Sequence, residues 1–270
     1  MAISILLSAG CDRLTQDTTP APAEARDVQR IVSLTPLATR FVLAIGAGDR
    51  LVAVDAGSAE LPGARGLPVV DLDGATRFDA DLVLVAALPD AGRPAPGARV
   101  AEFAPHDFED ALPLVRELGG ELVGAEATTR FERGFARPLA KIGGESGGEH
   151  RPRVVAVVRL DPLEIAGGHS FETDLIEIAG GQSVTHPGEE NRIAITADRW
   201  AELAPELVLV IGAPPASPRD EQAVRNALPP GAQVAFFSFD PGFWIDGSDD
   251  PARRLREVIA PIARRAKIAP

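Results

Sequence analysis

Four histidines, one cysteine and a single Ser–His neighbour pair hold most of the reactive chemistry open to this chain of 270 residues. His106, His150, His169 and His186 are scattered, without the close spacing by which a helix or loop presents two imidazoles to one metal ion. The lone Cys11 can form neither an internal disulfide nor a Cys-rich metal site. GAGDRL at 46–51 begins like a dinucleotide loop, but it follows a helical pattern and lacks the third glycine. The sequence has no nucleophile elbow, no HExxH and no P-loop. Sequence leaves open a Ser–His–acid site assembled in three dimensions, for which Ser170 beside His169 is too weak an argument; an extracytoplasmic hydrolase is the alternative reading. No catalytic residue, resident metal or cofactor is assigned.

Binding chemistry is better represented. In open α/β sheets ligands sit beyond the carboxyl ends of the strands. The residues expected there are Ser33, Thr35 and Pro36, then Asp55, then Leu88, and in the second half Arg159 and His169. Arg159 either clamps an anionic group of a ligand or pairs with Asp161 or Glu164. His169 either touches a metal centre or caps a helix. The loop FDPGFWIDG at 239–247 carries Phe243 and Trp244, which either plug the core or form a flat apolar wall for a large ligand. Trp200, three residues from Leu203, is expected in the core.

The elements that must position these residues alternate. Ile31–Leu34 reads as a strand, Thr35 as a helix N-cap and Pro36 as the first helical residue. Leu37, Phe41, Ala44 and Ile45 then share one helix face. Strands follow at 51–54, 79–89 and 98–103, and a helix at 105–121. The second half repeats the order, with strands at 153–160, 204–215 and 232–239 and a helix at 170–181. DLVLV (81–85) and ELVLV (206–210) lie 125 positions apart, and Asp73 and Asp198 precede them at the same offset. This predicts an α/β chain of two Rossmann-like lobes, 30–123 and 153–270. The segment 124–152 joins them, with Phe131, Phe135 and Leu139 on one face of a crossing helix, Pro138 a candidate kink, and a glycine-rich loop after it.

The net charge of −12 argues against nucleic acid and anionic membrane as partners. No later segment is apolar for the roughly 18 residues a membrane span needs. Residues 1–10 read as a truncated-looking signal peptide, because an apolar run and small residues precede Cys11. This resembles the lipobox of bacterial lipoproteins, with Cys11 as the lipidation site. Two features depart from it: no basic residue precedes Cys11, and the apolar run is short. The polar, Pro/Ala/Thr-rich stretch after it, within 11–29, reads as a tether to a lipid anchor.

RIVSLTPLATRFVLAIGAGDRLVAVD, DADLVLV, PHDFEDALPLVRELGGELVG and AGGHSFETDLIEIAGG resemble the metal-chelate class of solute-binding proteins of ABC importers, from about residue 30 onward. The resemblance implies two α/β lobes bridged by one long helix. It also implies a periplasmic or lipid-anchored monomer that hands a chelate to a permease and its ATPase. The cargo class covers ferric siderophores, haem and cobalamin, so a transported ligand brings its own cobalt or iron. With no tyrosine in the chain, haem held by a Tyr axial ligand is excluded, which favours corrinoids and siderophores. The resemblance further implies one acidic permease-docking knob per lobe, usually Glu, here Asp73 and Asp198. A sensory or scavenging receptor without a permease is the other reading within this fold.

Overall fold

In the computed structural model of the protein, residues 27–88, 97–145, 150–228 and 230–266 are described; Cys11 and the signal-like segment lie outside them. The first lobe contains β1 (Ile31–Ser33), α1 (Pro36–Ala44), β2 (Leu51–Val54), α2 (Leu72–Ala75), β3 (Leu82–Val85), β4 (Arg99–Glu102) and α3 (Phe108–Val123). α4 (Ala125–Gly144) crosses to the second lobe; at 1.5 Å per residue its 20 residues span about 30 Å. It runs unbroken through Pro138. The second lobe contains β5 (Arg153–Leu160), β6 (Leu163–Ala166), α5 (Phe171–Ile178), β7 (Gln182–Ser183), β8 (Arg192–Ala194), α6 (Ala197–Leu203), β9 (Leu207–Ile211), α7 (Pro218–Ala227), β10 (Gln233–Phe237) and α8 (Asp250–Ala266).

The first sheet is parallel, in the order β2-β1-β3-β4. The second runs β10-β9-β5-β6-β8, with β7 pairing parallel to β5. Its parallel part is thus β7-β5-β9-β10, the order of the first sheet. The antiparallel strands β6 and β8 are an addition on one side. Sequence pattern missed β6, β7 and β8 because strands of two to four residues carry too little alternation to read. It also assigned nothing to α7 and α8.

The pentapeptide echo is structural. Leu82 and Leu84 of β3 and Leu207 and Leu209 of β9 join one core, while Val83, Val85 and Val208 face separate cores on the opposite side of their sheets. Strand period 2 makes the Leu and Val faces do different work in both lobes. The repeat extends to capping and backbone conformation. Asp71 caps α2 by accepting from Gly74 N–H at 2.8 Å, and Thr196, 125 positions on, caps α6 through Arg199 N–H. Asp79 and Ala204, also 125 apart, are the non-glycine residues with positive φ among those described, at 46° and 41°. Around each, an arginine that opens a central strand donates to the carbonyls of the turn: Arg30 to Phe78 and Asp79, Arg153 to Leu203 and Ala204. Asp81 and Glu206 accept from the backbone N–H groups of those same arginines.

Candidate ligand-binding cleft

The lobe 1 strands end on a rim built by sequence-local geometry. After β1, Thr35 occupies the N-cap of α1 without a side-chain cap bond, and Pro36 follows, exposed. After β2, the Asp55 carboxylate accepts from Gly57 N–H at 3.0 Å and from the Ser58 hydroxyl. A Cβ on Gly57 would sit 2.9 Å from both Pro36 Cγ and Asp55 Oδ2, so the β1 and β2 ends are in contact and need glycine there. After β3, Leu88 is exposed, with its N–H 3.3 Å from the Glu102 carboxylate. Pro36, Asp55 and Leu88 are therefore accessible at neighbouring strand ends. Ser33 is not. It is fully buried, and its hydroxyl oxygen lies 2.8 Å from that of Thr39, which lies 2.9 Å from that of Ser58. Ser33 supports the rim from inside.

On lobe 2, Arg159 sits on the β5–β6 hairpin, paired with Glu164 and reaching the Pro162 carbonyl at 3.4 Å. Of its two readings, the local ion pair is the one the geometry contains. Phe243 and Trp244 correct the aromatic-wall expectation. Both are buried, and Trp244 is wholly so. They pack with Phe131 and Phe135 of α4, Phe108 of α3 and Phe171 of α5. The loop turns Phe243 and Trp244 inward because this aromatic set, drawn from both lobes, receives them. Trp200 is in the core, as expected.

The lobes meet where α3 and α5 begin. Phe171 N–H donates to the His106 carbonyl at 2.7 Å, and Phe108 N–H donates to Asp174 at 2.8 Å. Asp107 is almost fully buried, caps α3 by accepting from Asp110 N–H at 2.7 Å, and holds His169 Nδ1 at 2.9 Å. The α5 cap is Ser170, not His169. Ser170 Oγ donates to the Gly167 carbonyl at 2.8 Å and is buried. The loop carrying His169 is clamped: a Cβ on Gly167 or Gly168 would strike the backbone of Glu190 or Gly188, and Gly167 N–H bonds Asn191 O at 2.8 Å. Burial pushes the Asp174 carboxyl up to about 6, helped by the charges of Asp107 and Glu109 and opposed by the Phe108 N–H and His186.

A second bridge lies on α1. Arg40 pairs with Asp240 and Asp246 and donates to the Gly242 carbonyl at 3.1 Å. Burial lowers the pKa of its guanidinium, but the bonds to Asp246 and Asp240 more than reverse this and leave it raised. A pocket of about 520 Å³, walled by Leu43, Ala44, Leu61 and Pro62, opens beside this clamp. Sequence pattern missed Arg40, Asp107 and Asp174. Their partners lie 200, 62 and 66 positions away, a separation local spacing does not report. Asp73 and Asp198 are exposed in the first turns of α2 and α6, at equivalent places in the two lobes, and form no ion pair among the described residues. Among those residues no group of three His, Cys, Asp or Glu side chains is placed to hold a metal ion, and no helix is long and apolar enough to cross a membrane.

No family model matches the chain, and no curated protein matches it in sequence. Solved structures match over most of its length. The periplasmic vitamin B12-binding protein BtuF of Vibrio cholerae is 16% identical, with a TM-score of 0.61, over 88% of this chain and 98% of that one. A possible iron-binding periplasmic solute-binding protein of Staphylococcus epidermidis is 15% identical, with a TM-score of 0.65, over 86% and 98%. A periplasmic haem-binding protein of Pseudomonas aeruginosa is 20% identical, with a TM-score of 0.62, over 87% and 94%. The resemblance seen in the sequence holds at the level of the fold: this chain is built as the metal-chelate class of solute-binding proteins is built, in two α/β lobes joined by one long helix.

Proposed function

We propose that the chain is the solute-binding component of an ABC importer, that it takes a metal chelate between its lobes, and that it delivers this cargo to a permease without chemical change. The observation that carries this reading is the duplicated lobe with one exposed acid at the same place in each copy, Asp73 and Asp198. Two like-charged points on repeated supports give a partner both a position and an orientation, the role for which charge complementarity is suited. The accessible strand ends at Pro36, Asp55 and Leu88 supply one wall of the binding site, and Arg159 and His169 flank the opposite side. Corrinoids, haems and ferric siderophores are the cargo classes that proteins of this fold are named for or that the sequence favours. Cys11 is proposed as the lipid anchor on the outer side of the membrane, with the stretch after it as tether; stable anchoring takes more than one acyl chain.

Ser170 does not serve the hydrolase alternative as a nucleophile. Ser170 Oγ is buried and spends its proton on Gly167 O, so it is not presented to the His169 ring. The test is calorimetric titration of the purified chain with an aquacobalamin, a ferric porphyrin and a ferric hydroxamate, beside ester and glycoside turnover assays. Sub-micromolar binding of one chelate with no turnover is expected. Turnover without chelate binding would overturn the assignment.

A further inference from the structure

We propose that the cavity of about 520 Å³ beside the Arg40 clamp is a second binding site, separate from the cargo rim, for a small organic cation: an amine or guanidinium on an apolar body. The site stands whether or not the chain is a chelate receptor.

Its position follows from the direction of α1. β1 and β2 are parallel, so the helix between them runs back from the strand ends toward the other end of the sheet. Pro36 starts it at the rim. Arg40 is one turn on and Ala44 two, about 12 Å from Pro36 at 1.5 Å per residue. The cavity is walled by this far half of α1, with Leu43 and Ala44, by Leu61 and Pro62 of the loop after β2, and by Asp240 and Asp246 of the 239–247 loop. Pro36, Asp55 and Leu88 do not line it. It opens at the seam between the lobes, set back from the strand ends of the first.

Charge selects the ligand. One guanidinium stands against two carboxylates, so the lining is one negative charge in excess. Arg40 is already occupied. It pairs with Asp240 at 2.5 Å and with Asp246, donates to the Gly242 carbonyl at 3.1 Å, and its side chain is 17% exposed. Asp240 and Asp246 stay 60% and 58% exposed. A carboxylate accepts about four hydrogen bonds. Among the described residues Asp240 receives them from Arg40 and Gly242 N–H, and Asp246 from Arg40 alone. Acceptor capacity is left over on both, while the rest of the wall is apolar. An anion would meet like charge there. A cation with a carbon body donates to the carboxylates and lays that body on the leucines and Pro62. The volume lies within the roughly 300–1,000 Å³ of small-molecule pockets.

The test titrates the full chain with phenylbutylamine, with its anionic analogue phenylbutyrate and with its neutral analogue phenylbutanol, by calorimetry and by thermal shift. The amine is expected to bind at least about tenfold tighter than either analogue, and to lose affinity as salt rises. Ala44→Phe, at an exposed helix position, fills the cavity and should abolish amine binding with the melting temperature of the free protein near wild type. Asp240→Asn with Asp246→Asn leaves Arg40 as the one charge in the lining, and should reverse the preference from the amine to phenylbutyrate. Arg40→Met leaves two carboxylates and should tighten the amine several-fold. Equal binding of the three probes overturns the proposal, as does amine affinity indifferent to Ala44→Phe. So does the absence of saturable amine binding at millimolar concentration. The chelate titrations judge the receptor reading separately, and neither result decides the other.

Discussion

Trp244 shows how much a single side chain can decide. It is fully buried in an aromatic set drawn from both lobes and from α4, and its Nε1 has no partner among the described residues. Trp244→Ala should therefore cost ~3–5 kcal/mol of stability, as large core truncations do. Trp244→Phe removes the unbonded N–H together with part of the ring, and should cost much less. Chemical denaturation of the two variants checks this; equal losses would mean that the indole N–H is bonded after all. Asp174 makes a different residue-level prediction. Its carboxyl is raised from 3.8 to about 6, first by burial. A raised folded-state value means that its contribution to stability is fully present below pH 3.8 and is lost as pH rises through about 6. The span of about two pH units corresponds to at most ~3 kcal/mol. Asp174→Asn carries no such titration, so its stability relative to wild type should rise between pH 4.5 and 7.5. Parallel unfolding midpoints for the two proteins across that range would contradict the assignment.

At the scale of elements, two short loops set how the lobes are held, and both depend on glycine. The 167–169 loop passes so close to residues 188–191 that Gly168→Ala should displace the loop and with it His169, even though Ala is the smallest possible change. The expected result is loss of cargo affinity with only a modest fall in melting temperature. Unchanged affinity would show that the loop can move without consequence. The 239–247 loop is a strap. Its aromatic residues enter the shared core, and Arg40 of α1 lies across Gly242, where a Cβ would collide with the guanidinium. Asp240 and Asp246 are both more than half exposed. Solvent therefore discounts the pairing, and Arg40→Met should cost only ~1 kcal/mol. The order of the first lobe, the central strands β5, β9 and β10 of the second and the echo of DLVLV in ELVLV were legible in the sequence because they rest on local pattern. The strap was half legible: its Gly, Pro and Asp announced a turn, but nothing local says that Phe243 and Trp244 point inward. The direction of a loop side chain is set by what waits for it, here Phe108, Phe131, Phe135 and Phe171, supplied from 72 to 135 positions earlier in the chain. Asp107 was hidden for the same reason. Its cap role is local, but its partner His169 belongs to the other lobe.

At the scale of the whole molecule, the two lobes share one core. A single apolar cluster runs from Ile31, Phe41 and Leu84 through Phe135 and Leu139 to Leu175, Leu209 and Trp244. Such a body should unfold in one calorimetric transition, and neither half, cut within α4, should fold alone. Asp73 and Asp198 lie on short helices that pack on the separate outer cores of the two lobes. Each lies in the first turn of its short helix, where an acid also stabilises the helix dipole by ~0.3–1 kcal/mol. A helix-stabilising role and a docking role therefore predict different things. If the acids serve only their helices, Asp73→Asn with Asp198→Asn should cost a little stability and leave uptake intact. If they dock, Asp73→Arg with Asp198→Arg should leave cargo affinity in solution unchanged and abolish transport, because two like charges then face the basic surface of the permease. Each single reversal should fall between, since one remaining contact gives attachment without orientation. Glu at both positions, one methylene longer, should keep or improve docking, whereas a capping role gains nothing from added reach. Uptake in a reconstituted importer, measured beside cargo affinity for the same variants, separates the two; transport that survives the double reversal would leave Asp73 and Asp198 as helix-stabilising residues and nothing more.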